Sequence, residues 1–245
     1  MDYSDWKPFY QSILSRFHFS EADDIKSANY FSAAFGDFFK NNPEFNNNES
    51  APALLKDKIA GKNIVICGNA PTLEAEYRLL QESRSIDGSE VYIAADGAAF
   101  VLLKNKKVPD IIVTDLDGKH PNDAIKEIEA ADKGALLLIH AHGHNSDKLE
   151  KYLPAFKDKI KENAVIPTCQ CRPPKYLFNF GGFTDGDRCL FLADAFDAAS
   201  IVLIGFDFND PDVPPLKKEK LKCAEKLIEL IRQKNGNIMF FSELE

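Results

Sequence analysis

Residues 114–118 read Thr-Asp-Leu-Asp-Gly and follow the apolar run Ile111-Ile112-Val113. Two carboxylates, Asp115 and Asp117, thus stand two positions apart where a buried strand should end. Carboxylate oxygens suit a hard divalent cation that keeps several of its waters. A second apolar run, Val91–Ala95, ends in Asp96-Gly97. If the two strands lie side by side, Asp96, Asp115 and Asp117 converge on one metal ion. Mg2+ is the expected ion, bridging polyphosphate oxygens and neutralising charge that develops as a phosphoryl group moves. Turn formation alone accounts for either Asp-Gly pair taken singly. Asp115 has no turn role, and the joint occurrence favours metal binding.

Other motifs cluster in the same way. Gly68-Asn69-Ala70-Pro71-Thr72 leads from an apolar run into a helical pattern, so amides near Gly68, Asn69 and Thr72 are candidates for holding phosphate. The loop lacks the Gly-Lys-Ser/Thr ending of a Walker loop and is not Gly-x-Gly-x-x-Gly. His140-Ala141-His142-Gly143-His144-Asn145 places histidines at alternate positions. Zinc is one reading. The hydrolase pattern His-x-His-x-Asp-His fails at His144 and Asn145, and the favoured reading has His140, His142 and Asn145 touching phosphate or shaping the acceptor site. His140 or His142 is the candidate to accept a hydroxyl proton.

Gly181-Gly182-Phe183-Thr184-Asp185-Gly186-Asp187-Arg188 permits close backbone approach to a ligand. Thr184 or Asp185 is suited to cap the helix that follows. A cation such as Arg188 in a first helical turn opposes the dipole, so an anionic partner is expected beside it. Gly97, Gly182, Thr184, Asp185 and Arg188 therefore join the nucleotide-binding set. Phe180 or Phe183 is a candidate for stacking on a substrate ring. Asp207 either completes the acidic cluster or caps a turn. Cys169-Gln170-Cys171 has Cys-x-Cys spacing with no second pair and reads as incidental.

These motifs need a scaffold. Apolar runs at 63–67, 91–95, 110–113, 135–139, 164–166, 200–204 and 237–241 alternate with helical patterns from Leu73 to Gln233. That order predicts an α/β fold with a mostly parallel sheet and helices on both faces. Ligands of such sheets bind beyond the carboxyl ends of the strands, where the polar motifs recur. Ahead of the sheet, Trp6, Phe9, Tyr10, Ile13 and Leu14 recur at helical spacing, and Ser20 with Asp23 marks a helix start. This stripe reads as packing. Asn41–Asn48 breaks the helix, which divides the chain into an N-terminal helical segment and linker (1–50) and a catalytic domain (51–245).

Bulk properties narrow the field. The chain has 245 residues, 44% hydrophobic and 28% charged, with a formal charge of −8. An acidic balance argues against nucleic acid and anionic membranes as partners. Five scattered cysteines fit a reducing cytoplasm, and neither a signal peptide nor an apolar run of spanning length is present. A homodimer is the default expectation for such an enzyme.

Taken together, Gly68–Thr72, Ala95-Asp96-Gly97-Ala98, Val113–Gly118, His140-Ala141-His142-Gly143, Gly181–Arg188 and Gly205-Phe206-Asp207-Phe208 resemble the archaeal 6-hydroxymethyl-7,8-dihydropterin pyrophosphokinases of the MptE-like type. The resemblance covers roughly residues 60–210 in order, and the N-terminal helical segment fits the family. The Asp-Gly-Ala and Asp-Leu-Asp-Gly pieces are also similar to those of thiamine pyrophosphokinases, which implies a related α/β fold working on magnesium ATP. The resemblance implies transfer of diphosphate from ATP to the pterin hydroxymethyl oxygen, release of AMP, and a place in archaeal folate or methanopterin-type cofactor synthesis. His144 departs from the family's Asp, and Pro167-Thr168-Cys169 stands where Gly-Thr-Thr commonly precedes Gln170. A sugar-nucleotide glycosyltransferase and a non-catalytic nucleotide sensor on the same fold are the alternatives.

Overall fold

Short runs of Ile, Val, Leu and Ala form strands covered on both faces, as helix-linked parallel strands must be. The computed structural model describes residues 2–42, 47–83, 86–118, 123–161 and 164–244. In chain order the elements are α1 (Tyr3–Phe17), α2 (Glu21–Asn41), α3 (Asn47–Ile59), β1 (Asn63–Cys67), α4 (Leu73–Glu82), β2 (Val91–Ala95), α5 (Ala98–Lys104), β3 (Ile111–Thr114) and α6 (Asp123–Ala131). β4 (Leu136–Ala141), α7 (Ser146–Lys161), β5 (Val165–Cys169), α8 (Asp185–Ala195), β6 (Ser200–Ile204), α9 (Pro215–Lys234) and β7 (Ile238–Phe240) follow, and a 3-10 turn closes the chain. Seven strands pair in the order β5-β4-β3-β2-β1-β6-β7, every pair parallel.

Strand order fixes where the helices lie. β1 to β5 march in one direction, so right-handed crossovers put α4, α5, α6 and α7 on one face. The step back from β5 to β6 puts α8 on the other, where it packs on β1, β2 and β3. On that second face α2 packs against β4 and β5. Trp6, Tyr10, Phe31 and Phe35 are fully buried there and belong to the same apolar cluster as the strands. The aromatic stripe is packing, as the spacing suggests. Among the described residues no helix is long and apolar enough to cross a membrane.

Three boundaries differ from the sequence expectation. β5 continues through Pro167 to Cys169, because it is the edge strand, where a missing N–H costs no ladder bond. β4 extends to Ala141, so His140 is a strand residue and not part of a loop. Helix α3 was not anticipated: its buried positions, Ala51, Leu55 and Ile59, follow i, i+4, i+8, but an asparagine-rich start masks them. The remainder of the expected break, 43–46, lies outside the described residues.

Candidate active site

The site begins where β2 and β3 leave the sheet. The Asp96 amide donates to Val113 O at 2.8 Å, which keeps the two strand ends together past the last pair of the ladder. Asp96 (φ 37°) and Leu116 (φ 65°) both adopt left-handed backbone that side chains disfavour, at a cost of about 1–3 kcal/mol each. The turn at Leu116 brings Asp117 back toward Asp115, and the Asp117 amide donates to Asp115 Oδ1 at 3.2 Å. Asp96, Asp115 and Asp117 each offer an oxygen within 4.8 Å of the others, and Asp117 is the exposed member.

These carboxylates influence one another. Desolvation, then the charge of Asp115, raises Asp96 above its ordinary value. Desolvation, then Asp115, raises Asp117 to about 7. Desolvation would also raise Asp115, but the His142 hydrogen bond, with help from Asp117 and Arg188, outweighs it and holds Asp115 at about 2. A divalent cation relieves this repulsion. Of three oxygens on an octahedral Mg2+ at most one pair stands opposite, at about 4.2 Å, and the other pairs stand adjacent, at about 3 Å, so the three side chains would draw inward to share one ion. An all-oxygen set also disfavours zinc.

Supporting groups hold the acids in place. Thr114 Oγ1 lies 3.1 Å from Asp96 Oδ1 and 2.7 Å from Glu127 Oε2. Burial, then the charge of Asp96, pushes Glu127 well above the usual carboxylate range, which disfavours its charged form. Sequence reasoning missed Glu127. The signal was present, because it sits on the buried stripe of α6 with Ala124, Ile128 and Ala131, where an apolar side chain belongs. Asp185 (19% exposed side chain) pairs with Arg188 at 3.2 Å and feels Asp115, Asp96 and Asp117; desolvation first and these charges next raise it well above normal. Arg188 therefore meets a carboxyl partner within its own helical turn.

The two histidines differ. His142 Nε2 lies 3.1 Å from Asp115 Oδ2, while its Nδ1 accepts the His144 amide at 3.3 Å. That assigns the ring proton to Nε2 and leaves no free lone pair, so His142 orients Asp115. His140 is buried and faces Thr168 at 3.1 Å; desolvation, then Arg188, depresses it well below the ordinary histidine value. Its Nε2 and Arg188 Nε have no hydrogen-bond partner, and both residues line a cavity of about 20 Å³. The Thr168 hydroxyl donates to Ile139 O and so accepts from His140 Nδ1–H, which leaves the His140 Nε2 lone pair open, whereas His142 has none to spare. Asn145 is bonded to backbone: Nδ2 donates to Asp115 O and His140 O, and Oδ1 accepts the His142 amide, so it braces β3 against β4.

The glycine loops separate in the same manner. The Gly68 amide donates to Ile204 O at 2.8 Å, and a Cβ there would lie 2.5 Å from Gly205 O. Gly68 thus closes the crevice between β1 and β6, and the acidic centre lies beyond β2 and β3. Asn69 lies against Gly97, whose hypothetical Cβ would come within 2.4 Å of Asn69 Nδ2. Asn69 and Thr72 are exposed beside this edge. Gly182 (φ 88°) packs on the Arg188 backbone, where a Cβ would meet Cα at 2.7 Å. The Thr184 hydroxyl and amide donate to Asp187 Oδ1, and the Phe183 amide donates to Oδ2, so Asp187 anchors the start of α8. Asp207 accepts from the Asn209 amide in a local turn and is not in the acidic group.

A parallel sheet with an acidic centre at the exits of its strands defines an α/β protein with a candidate cation site. The chain belongs to the MptE-like family, whose model, described as 6-hydroxymethylpterin diphosphokinase MptE-like, matches residues 37–213. It is thus an enzyme of the diphosphotransferase type. A relative from Methanocaldococcus jannaschii is 35% identical over 248 residues, covering 96% of this chain and 97% of its own. A second, from Methanothermobacter thermautotrophicus, is 35% identical over 252 residues, covering 97% and 98%. A third, from Pyrococcus furiosus, is 34% identical over 249 residues, covering 96% of both. All three are named 6-hydroxymethyl-7,8-dihydropterin pyrophosphokinase.

Proposed function

We propose that the enzyme transfers diphosphate from ATP to the hydroxymethyl oxygen of 6-hydroxymethyl-7,8-dihydropterin and releases AMP, in archaeal folate or methanopterin-type cofactor synthesis. The observation that carries this reading is the convergence of Asp96, Asp115 and Asp117 within 4.8 Å, in a chain of the diphosphokinase family. These carboxylates would hold Mg2+, which when bound supplies charge neutralisation on the phosphate oxygens. Asp115 is kept ionised and oriented by His142. Arg188 is buried beside the cluster and adds positive charge next to it. Asn69, Thr72 and Gly97 form the adjoining edge for the nucleotide. The hydroxymethyl oxygen attacks the β-phosphorus in line, the bond to the α-phosphate's bridging oxygen breaks, and AMP departs. Positioning and charge carry most of such a step, and His140 Nε2, which has no hydrogen-bond partner, is the candidate to take the hydroxyl proton.

The test is chromatographic. Protein, magnesium ATP and the pterin are incubated together and the nucleotide product is identified. AMP in equal amount to pterin diphosphate supports the reading. ADP, or no pterin-dependent nucleotide turnover, overturns it.

A further inference from the structure

Asp24 stands in the N-terminal helices, far from the acidic residues in sequence, and is 3% exposed. Its Oδ1 accepts the Gly143 amide at 2.7 Å, next to His142. Its Oδ2 accepts from Tyr10 Oη at 2.7 Å and from Gln170 Nε2 at 2.8 Å. A carboxylate offers no donor, so Gln170 must turn its amide nitrogen toward Asp24 and its oxygen toward Arg188. Gln170 Oε1 indeed accepts from Arg188 Nη2 at 3.2 Å, and Nη1 reaches Asp185 at 3.2 Å. One buried carboxylate thereby sets two arms, the histidine turn that orients Asp115 and the amide that aims Arg188.

We infer that Asp24 is a positioning residue for the transfer reaction: through Gly143 and Gln170 it fixes His142 and Arg188 relative to the acidic centre. The N-terminal helices are then part of the catalytic apparatus as well as a cover for the sheet. The turnover part of this inference rests on the diphosphotransfer reading; the metal-binding part does not.

Asp24→Asn keeps the volume but gives Gln170 a competing donor, freeing its amide to flip. Tyr10→Phe removes a bond to Oδ2 but leaves the Gly143 and Gln170 bonds to Asp24 in place. Loss of an outer group that orients ligands costs about 10–100-fold in metal affinity or activity. Asp24→Asn should therefore lower kcat about tenfold or more and weaken Mn2+ binding to the protein alone, while Tyr10→Phe, with a comparable fall in Tm, keeps both within about twofold. If Asp24→Asn does not fold, Gln170→Met decides, since it cuts the Arg188 arm alone; it should lower kcat with Mn2+ affinity held. Wild-type kcat and Mn2+ affinity in Asp24→Asn, equal losses in Tyr10→Phe, or full kcat in Gln170→Met would each overturn the inference. Absence of AMP from the wild-type enzyme would instead count against the reaction assigned, and the Mn2+ titrations would still decide the role of Asp24.

Discussion

His142 Nε2 lies 3.1 Å from Asp115 Oδ2, so a ring from the end of β4 donates to the carboxylate that leaves β3. This bond is a main reason Asp115 stays ionised despite its burial. His142→Ala should let the Asp115 value rise and weaken metal binding about 10–100-fold, the usual cost of losing a group that orients a ligand. His142→Gln, which retains a donor, should recover part of it. Mn2+ titration of the purified variants measures both; unchanged affinity in the alanine variant would remove the orienting role.

Desolvation and the charge of Asp115 push Asp117 up to about 7, although its residue is the exposed one of the three. A bound cation needs the ionised form, so apparent metal affinity should rise with pH up to about 7 and level off above it. Below that value each pH unit should cost about tenfold. The stability sign is opposite for the metal-free protein. A folded value above the unfolded one contributes stability at low pH that is lost as pH rises toward 7. The Tm difference between wild type and Asp117→Asn without metal should therefore move against the wild type between pH 4 and 7, and added Mg2+ should reverse it. A pH-independent difference would contradict the assignment.

Burial and the charge of Asp96 disfavour the ionised form of Glu127, which lies beside Thr114. Glu127→Gln replaces one neutral donor with another and should leave Tm and activity close to wild type. Glu127→Ala removes the partner and opens a cavity, and should destabilise by about 2–4 kcal/mol. Equal losses in the two variants, read by thermal melts, would mean that the charged form is required.

Much of this architecture is legible in the chain. Continuous apolar strands separated by helical patterns give the parallel sheet, and strand exits at Asp96 and Asp115 locate the acidic centre. What is not legible depends on contacts between distant segments. Gly68 and Gly205 look like phosphate-loop glycines until their backbones are seen against each other, 137 positions apart. His140 and His142 share a motif, yet one step along the sheet buries the first against Thr168 and turns the second to Asp115. Asn145 looks like a ligand contact because its type suits one, while its hydrogen bonds go to backbone. Asp24 is hidden because a charged residue in an amphipathic helix reads as solvent-facing until its face is known, whereas Glu127 betrays itself by standing on the apolar stripe of α6.

Gly205 (φ 70°) tests the closed crevice directly. A Cβ there would lie 2.4 Å from Gly68 O and 2.8 Å from Leu73 Cβ. Backbone cannot yield as a flexible side chain does, so Gly205→Ala should cost about 2–4 kcal/mol from the combined clash and left-handed strain. For a chain of this size that corresponds to a fall in Tm of roughly 4–16 °C. Gly236→Ala, where nothing lies within 4 Å, is the control and should change Tm little. A Gly205→Ala protein with wild-type Tm would mean the crevice between β1 and β6 opens readily, and it would then compete with the β2–β3 exits as the nucleotide's place.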